Sequence, residues 1–207
     1  MRKHFLDLFS GLGGASEAFT QDLDHWTVLR IDNNPLLANV PFTIIDDIKH
    51  LAKNLHPSQY SRSLEKIECI WASPPCTDFS GGFNSPKSIA SRTIGLDNYQ
   101  PDLTLMLTAL EIIETIKPKY WVIENVVGSI PYFREHLGEP TQIIGPYVLW
   151  GSFPQLIVDK SLIKKKVNQK DVGPGNPLRS NYRAIVDFEI SKALKDALET
   201  QTSIFDY

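Results

Sequence analysis

Two side chains of this 207-residue chain are best suited to covalent chemistry: a cysteine behind a pair of prolines, and a glutamate at the end of a later strand. The run Glu68-Cys69-Ile70-Trp71-Ala72 has β character and leads into Ser73-Pro74-Pro75, with Cys76 next. Two consecutive prolines remove two backbone donors and fix two φ angles, so neither sheet nor helix continues through them. Cys76 is thereby expected on a stiff loop at the carboxyl end of a strand, where open α/β sheets place their chemistry. Taken alone, a cysteine in a turn is equally well explained as a small apolar filler. Its company changes that. Tyr120 to Ile123 reads as another strand and carries Glu124-Asn125-Val126 at its carboxyl end. A thiol is only a few per cent thiolate at neutral pH, so a site that uses one must activate it. A carboxyl group that is to donate a proton needs burial to raise its pKa.

The elements that must position these groups begin at the N-terminus. His4 to Phe9 is a short apolar strand, followed by Ser10-Gly11-Leu12-Gly13-Gly14 and a helical segment through Phe19. Strand, glycine turn and helix open a nucleotide-binding α/β unit, because glycines let the backbone turn tightly and approach a ligand. Thr27 to Ile31 is the second strand and ends in Asp32-Asn33-Asn34-Pro35, with Asp32 placed 19 residues after Gly13. An acid at about that distance binds ribose hydroxyls in such folds. Phe42 to Ile45 is a third strand, closing in Asp46-Asp47-Ile48. Asp7, Asp32 and Asp47 thus lie at three successive strand ends. Any one of them is explained as a helix cap; the set argues for a cofactor pocket. The alternation of strands and helices predicts an α/β, Rossmann-like fold with a mostly parallel, doubly wound sheet.

Residues 81–100 are rich in Gly, Ser and Asn without steady periodicity and read as a long loop, a candidate lid beside the site. Asp102 opens a helix with Leu103, Met106, Leu107, Leu110 and Ile113 at helical spacing, ended by Lys117-Pro118. Ile143-Ile144, Val148 to Trp150 and Leu156 to Val158 read as short strands, and Phe188 to Leu198 as a helix burying Ile190, Leu194, Ala197 and Leu198. The expected division is a catalytic core over 1–158, a basic connecting loop over 159–182, a C-terminal helix packing back over 183–200, and a tail over 201–207.

Net charge is −3, so nothing global announces nucleic acid. From Gly151 to Arg183, however, seven basic residues face two acids, which fits either a phosphate-facing segment or a solvated loop. Two cysteines, one in an apolar strand, argue for a reducing, cytoplasmic setting rather than a disulfide framework. Met1-Arg2-Lys3-His4 leads into a strand, so no signal peptide is expected, and no apolar run approaches the roughly 20 residues of a membrane span. The five histidines lack ligand spacing, and no metal site is expected.

With these motifs in order, the chain resembles the cytosine-C5 DNA methyltransferases over residues 4–128, most closely their compact phage and mobile-element forms, which lack a large target-recognition domain. Asp7-Leu8-Phe9-Ser10-Gly11-Leu12-Gly13-Gly14 is similar to the family's S-adenosylmethionine motif, Asp32-Asn33-Asn34-Pro35 to its second motif, and Asp47-Ile48 to its third. Pro74-Pro75-Cys76 with Phe79-Ser80 is similar to the nucleophile motif, and Glu124-Asn125-Val126 to the Glu-Asn-Val motif. The resemblance implies Cys76 as nucleophile and Glu124 as acid, acting on a cytosine flipped out of duplex DNA. It implies cofactor contacts from Asp7, Phe9, Ser10, Gly11, Gly13, Gly14, Asp32, Asn33, Asp47, Ile48 and Pro74. Pro75, Ser80, Asn125 and Val126 are implied as substrate contacts.

The chain departs from the family at Thr77, where Gln is usual, and in having no Gln-x-Arg-x-Arg motif; Arg179 and Arg183 are the candidates to replace it at the substrate. Gly175-Asn176 and Arg183-Ala184-Ile185 are similar to parts of the family's last motif. With few residues after Gly128, short or relaxed specificity is expected, or specificity supplied by a partner. Two other readings stay open: an amino-methyltransferase acting on adenine N6 or cytosine N4, for which Ser73-Pro74-Pro75 also fits, and a cofactor-binding module without catalysis.

Overall fold

A computed structural model describes residues 2–55, 67–163, 173 and 175–205. Its strands are β1 (Lys3–Leu8), β2 (Trp26–Asp32), β3 (Thr43–Ile45), β4 (Ile67–Ala72), β5 (Tyr120–Val126), β6 (Gln142–Ile144) and β7 (Tyr147–Ser152). They form one sheet in the order β3-β2-β1-β4-β5-β7-β6. Pairing is parallel from β3 across to β5, and only β7 runs against its neighbours. The order reverses direction between β1 and β4, which is the switch point where such sheets open a crevice.

The helices are α1 (Glu17–Thr20), α2 (Ile48–Asn54), α3 (Pro86–Thr93), α4 (Thr104–Ile116), α5 (Ile130–Leu137), α6 (Arg179–Ala184) and α7 (Phe188–Phe205). Two cores lie on opposite faces of the sheet, as the period-2 alternation of a strand buried on both sides dictates. Phe5, Val28, Cys69, Trp71 and Val122 point to the face covered by α1 and α7. Leu6, Leu8, Ile31, Ile70 and Ile123 point to the other, with Met106, Ile112 and Phe133 from α4 and α5. This is the doubly wound α/β arrangement expected from the sequence.

α7 buries Ile190, Ala193, Leu194 and Leu198, an i, i+3, i+4, i+8 stripe that holds it on the first face. Its hydroxyl Ser191 accepts a hydrogen bond from the backbone N–H of Ala18 at 3.0 Å, fastening it to α1. The helix runs on to Phe205, through residues read from sequence as a tail, and α6 begins inside the segment read as a connecting loop.

Three other expectations change. Residues 81–100 are not all loop: Ser85 caps α3, its Oγ accepting from the Ser88 N–H, with Pro86 in the first turn. That is a helix start written in cap chemistry, without an apolar stripe to announce it. In α4, Leu107 is exposed, and Ala109 and Ile112 join Met106 and Ile113 in the core. Leu156 to Val158 is not a strand. The Gln142 side chain holds Leu156 instead, donating to its carbonyl at 2.8 Å and accepting from its N–H at 2.9 Å. No helix among the described residues is long and apolar enough to cross a membrane.

Candidate active site

β1, β2, β4 and β5 all end at one edge of the sheet, and the candidate residues lie there. The glycine loop leaves β1 through three left-handed residues, Phe9 (φ 59°), Gly11 (φ 53°) and Gly13 (φ 80°). A non-glycine residue in that region is strained and tolerated where the surroundings enforce it. Here the Ser10 N–H is held by the Ile31 carbonyl at 3.1 Å and the Gly13 N–H by the Ser10 carbonyl at 2.7 Å. The Asp32 carboxylate at the tip of β2 accepts from the Gly11 N–H at 2.8 Å and from the Asn34 N–H at 2.9 Å. Asp32 is half-buried and Asn33 exposed.

Behind the loop lies a buried polar cluster that sequence reasoning missed. Arg30, 5 % exposed, donates from Nη2 to the Gly13 carbonyl (2.9 Å), from Nε to Ser16 Oγ (2.8 Å) and from Nη1 to the Pro41 carbonyl (3.0 Å). Ser16 Oγ in turn donates to Asp7 Oδ2. A Cβ at Gly13 would lie 2.2 Å from the Arg30 guanidinium carbon, so glycine is required there. The available signal was a charge at position 30 on the strand face shared by Trp26 and Val28.

Two residues expected at the cofactor, Asp7 and Gly14, are packed from behind. Asp7 is 1 % exposed and supports the loop through Ser16. Burial pushes its pKa up to about 7, against the lowering effects of the Ser16 hydroxyl and the Arg30 charge. Gly14 is glycine for packing: a Cβ there would meet the Val186 carbonyl at 2.3 Å, where the chain enters α7. Ile48 is likewise buried in the second core, and Asp47 caps α2 by accepting from the Lys49 N–H at 2.9 Å.

At the other end of the edge, Pro74 is buried, Pro75 exposed and Cys76 half-buried. Both cysteines are thiols, and burial pushes the Cys69 thiol well up, which leaves Cys76 as the chemically usable one. The Cys76 carbonyl accepts from the N–H groups of Phe79 and Ser80, each at 3.0 Å, closing a turn directly after the thiol. Phe79 anchors the turn in the core against Phe133, with ring centroids 5.0 Å apart. Ala72 pairs with Ile123, so the half-buried Glu124 stands one residue beyond the last β4–β5 pair and beside the start of the cysteine loop. Asn125 fastens the two strands' ends together. It is 1 % exposed, and its Nδ2 donates to the Pro74 carbonyl at 2.9 Å while its Oδ1 accepts from the Val126 N–H at 2.9 Å. Asn125, expected as a substrate contact, thus ties the cysteine loop to the glutamate strand.

A cavity of about 480 Å³ opens beside this turn, lined by Phe79, Ser80 and Gly81, by Val126 and Gly128 at the end of β5, and by Lys87 and Ser88 of α3; Cys76 and Glu124 are not among its lining residues. Of the residues expected at the substrate, Ser80 and Val126 line this cavity. Lys87 Nζ donates to the Gly128 carbonyl at 2.8 Å and sits 5.3 Å from the Tyr132 ring centroid, joining α3 to the turn after β5.

Arg179 and Arg183 do not line the cavity. Their helix, α6, lies at the glycine loop, where Asn181 stands 3.6 Å from the position of a Gly11 Cβ and accepts from Asn34 Nδ2 at 3.4 Å. Asn181, which carried no signal of its own in the sequence, thus lies against the glycine loop. Its neighbours Arg183-Ala184-Ile185 were the available signal. Gly175 and Asn176 are exposed. Most of the basic run, at 164–170, lies outside the described residues.

The sheet order, the glycine loop at the switch point and the paired cysteine and glutamate strands define a Rossmann-like methyltransferase fold. The model of the C-5 cytosine-specific DNA methylases matches residues 3–131, and the chain belongs to that family. It is similar to the type II methyltransferase M.AquIA of Picosynechococcus sp., 28% identical over 65% of this chain and 52% of that protein. It is also similar to a probable DNA (cytosine-5)-methyltransferase of Frog virus 3, 28% identical over 58% of this chain and 52% of that one. The chain spans about half the length of these curated relatives. Among solved structures, a Spodoptera frugiperda DNMT2 mutant aligns with a TM-score of 0.42 at 18% identity, over 81% of this chain and 61% of that chain.

Proposed function

We propose that the chain transfers a methyl group from S-adenosylmethionine to carbon 5 of cytosine in DNA, through a covalent bond between Cys76 and cytosine carbon 6. Membership of the C-5 cytosine-specific methylase family supports the substrate class. The observation that carries the residue roles is the Asn125–Pro74 tie, which joins the cysteine loop to the glutamate strand.

The glycine-loop end fits the cofactor. Ser10 Oγ is buried there without a hydrogen-bond partner among the described residues, Gly11 leaves open backbone, and Asp32 presents a half-buried carboxylate. Phe9, Ser10, Gly11, Asp32, Asn33 and Asn181 would hold it, with Asp47 reaching from the start of α2 and Gly13 shaping the loop. When bound, S-adenosylmethionine supplies a methyl group made electrophilic by a sulfonium.

The protein's task is to make carbon 5 nucleophilic. The Cys76 thiolate adds to carbon 6, and Glu124 gives a proton to ring nitrogen 3, so the electron pair of the 5,6 double bond is delivered at carbon 5. Ser80 and Val126 flank the ring from the cavity wall, and Pro75 from the cysteine loop. Once carbon 5 carries the methyl group, its hydrogen passes to solvent as a proton, and the electron pair left behind re-forms the 5,6 double bond as it expels the Cys76 thiolate from carbon 6. The proton on nitrogen 3 returns to Glu124. Cys76 and Glu124 end as they began.

The test is product identity. Purified protein is incubated with labelled S-adenosylmethionine and mixed-sequence duplex DNA, which is then digested to nucleosides. The expected product is 5-methyldeoxycytidine, reduced at least about a thousandfold by Cys76→Ser, in keeping with loss of a nucleophile. Methyl on an exocyclic nitrogen that survives in Cys76→Ser would establish amino-methyl transfer instead.

A further inference from the structure

Glu124 stands where its strand has run past one neighbour. The β4–β5 ladder ends at the Ala72–Ile123 pair, and Glu124, Asn125 and Val126 continue opposite Leu149, Val148 and Tyr147 of β7. The placement of the Glu124 backbone therefore depends on where β7 begins. It begins at Tyr147, directly after Pro146, which lines the cavity together with Val126. Tyr147 is 8 % exposed, and one residue holds its hydroxyl twice: the hydroxyl donates to Asp187 Oδ2 at 3.1 Å and accepts from the Asp187 N–H at 3.2 Å. Asp187 is fixed in turn at the start of α7, its carbonyl accepting from the Ile190 N–H at 3.0 Å. The residue before it, Val186, is the one whose carbonyl closes on Gly14. A path of contacts runs from the glycine loop through Val186, Asp187 and Tyr147 to the end of β5. Burial and the carboxylates of Asp187 and Glu124 push the Tyr147 pKa up, against the lowering effect of the Asp187 N–H, so the hydroxyl keeps its proton for Asp187.

Resting on the methyl-transfer reading above, we propose that Tyr147 and Asp187 are the positioning residues of Glu124, fixing the acid relative to the glycine loop that would hold the cofactor. Neither is assigned a contact with the cytosine. Carbon 5 must meet the methyl group while Glu124 engages nitrogen 3, so acid and cofactor have to be held at one separation. A misplacement of about 1 Å costs on the order of a hundredfold in rate. The connection between α6 and α7 supplies that separation, because it touches the glycine loop at Gly14 and the acid's strand through Tyr147. It acts through hydrogen bonds and not through charge. An amide at position 187 offers the Tyr147 hydroxyl the same kind of acceptor, and the backbone N–H remains.

The experiment measures single-turnover methyl transfer to mixed-sequence duplex DNA at saturating S-adenosylmethionine and DNA, and affinity for S-adenosylhomocysteine by calorimetric titration. Wild type, Tyr147→Phe, Asp187→Ala and Asp187→Asn are compared. Tyr147→Phe and Asp187→Ala are expected to slow transfer about tenfold while cofactor and DNA affinity change less than about twofold, the pattern of a group that acts in the chemical step alone. Asp187→Asn should keep at least about half the wild-type rate, because the hydrogen bond is rebuilt. In a Glu124→Gln background, Tyr147→Phe should cost less than about twofold more, since the group it positions is already lost. Should Tyr147→Phe fail to fold, the contrast between Asp187→Asn and Asp187→Ala decides. Transfer at the wild-type rate in Tyr147→Phe and Asp187→Ala, with only melting temperature or cofactor affinity lowered, would overturn the proposal by reducing the tie to a structural one. Equal losses in Asp187→Asn and Asp187→Ala would overturn it as well. Either result leaves methyl transfer intact. A wild-type chain that forms no 5-methyldeoxycytidine overturns the methyl-transfer reading and this one with it.

Discussion

The glycine-loop edge and the cleft edge of the same sheet are held by opposite means. At the glycine loop, Arg30, Ser16 and Asp7 form a buried chain of hydrogen bonds that fixes the Gly13 carbonyl from behind, and α7 packs against Gly14. Around Cys76 and the cavity, the ties are separate contacts: Asn125 to Pro74 is buried, but Lys87 to Gly128 is part-buried and Arg92 to Phe83 is exposed. A buried network loses its pieces together and is costly to break; isolated, part-solvated bonds break one at a time at a small cost. The cofactor end is thus built to keep one shape. At the cleft, α3 is tied to the turn after β5 by a part-buried bond that costs little to break.

Substitutions at each edge sharpen that contrast. Arg30→Met removes three hydrogen bonds and leaves the Gly13 and Pro41 carbonyls and Ser16 without their donor. Loss of stability of about 3 kcal/mol is expected, of the order measured when hydrogen bonds to a buried charge are broken. Affinity for S-adenosylhomocysteine should fall with it. Chemical denaturation and calorimetric titration check the two effects; unchanged affinity in a folded Arg30→Met protein would show that the cluster does not shape the loop.

Asp7 gives the same network a pH signature. Burial keeps its proton in the folded chain up to about pH 7, whereas the unperturbed value is 3.8. Between those values the unfolded chain binds fewer protons than the folded one, so stability falls as pH rises from about 4 to about 7. Asp7→Asn cannot ionise, and its stability should fall less steeply over that interval, as denaturation midpoints measured at stepped pH would reveal.

The smallest stability effect is expected at the cleft. Lys87→Met removes one part-buried hydrogen bond and a cation–aromatic contact, worth about 1 kcal/mol together. The melting curve should barely move, while turnover on DNA drops several-fold because α3 no longer closes reproducibly on the β5 turn. A large loss of stability there would contradict the contrast between the two edges.

What was legible in the sequence follows from the same physics. Strands and their order along the chain showed through alternating apolar residues, prolines and glycines, and the Cys76 and Glu124 strands do end at one edge, as their spacing implies. Three things did not show. α3 has only Ala90 buried, so no apolar period marks it, and Ser85-Pro86 was its sole announcement. Asp7 and Gly14 match a cofactor motif by type, yet their side-chain positions face Ser16 and Val186, which depends on strand parity and on where α7 returns. Arg30 and Asn181 reach the loop from β2 and from α6, and such long-range placement leaves no local pattern in the chain.

The central claim is the bond between Cys76 and cytosine carbon 6, and a substrate that cannot release it tests that claim most directly. Mixed-sequence duplex containing 5-fluorocytosine has no hydrogen at carbon 5 to lose as a proton, so the thiolate cannot be expelled after methyl transfer. The account predicts a denaturation-resistant protein–DNA species that forms only with S-adenosylmethionine, carries the methylated nucleotide's mass on the peptide containing Cys76, and is absent with Cys76→Ser. If ordinary cytosine in the same duplex becomes 5-methylcytosine while the fluorinated DNA leaves Cys76 unmodified, the covalent account is wrong.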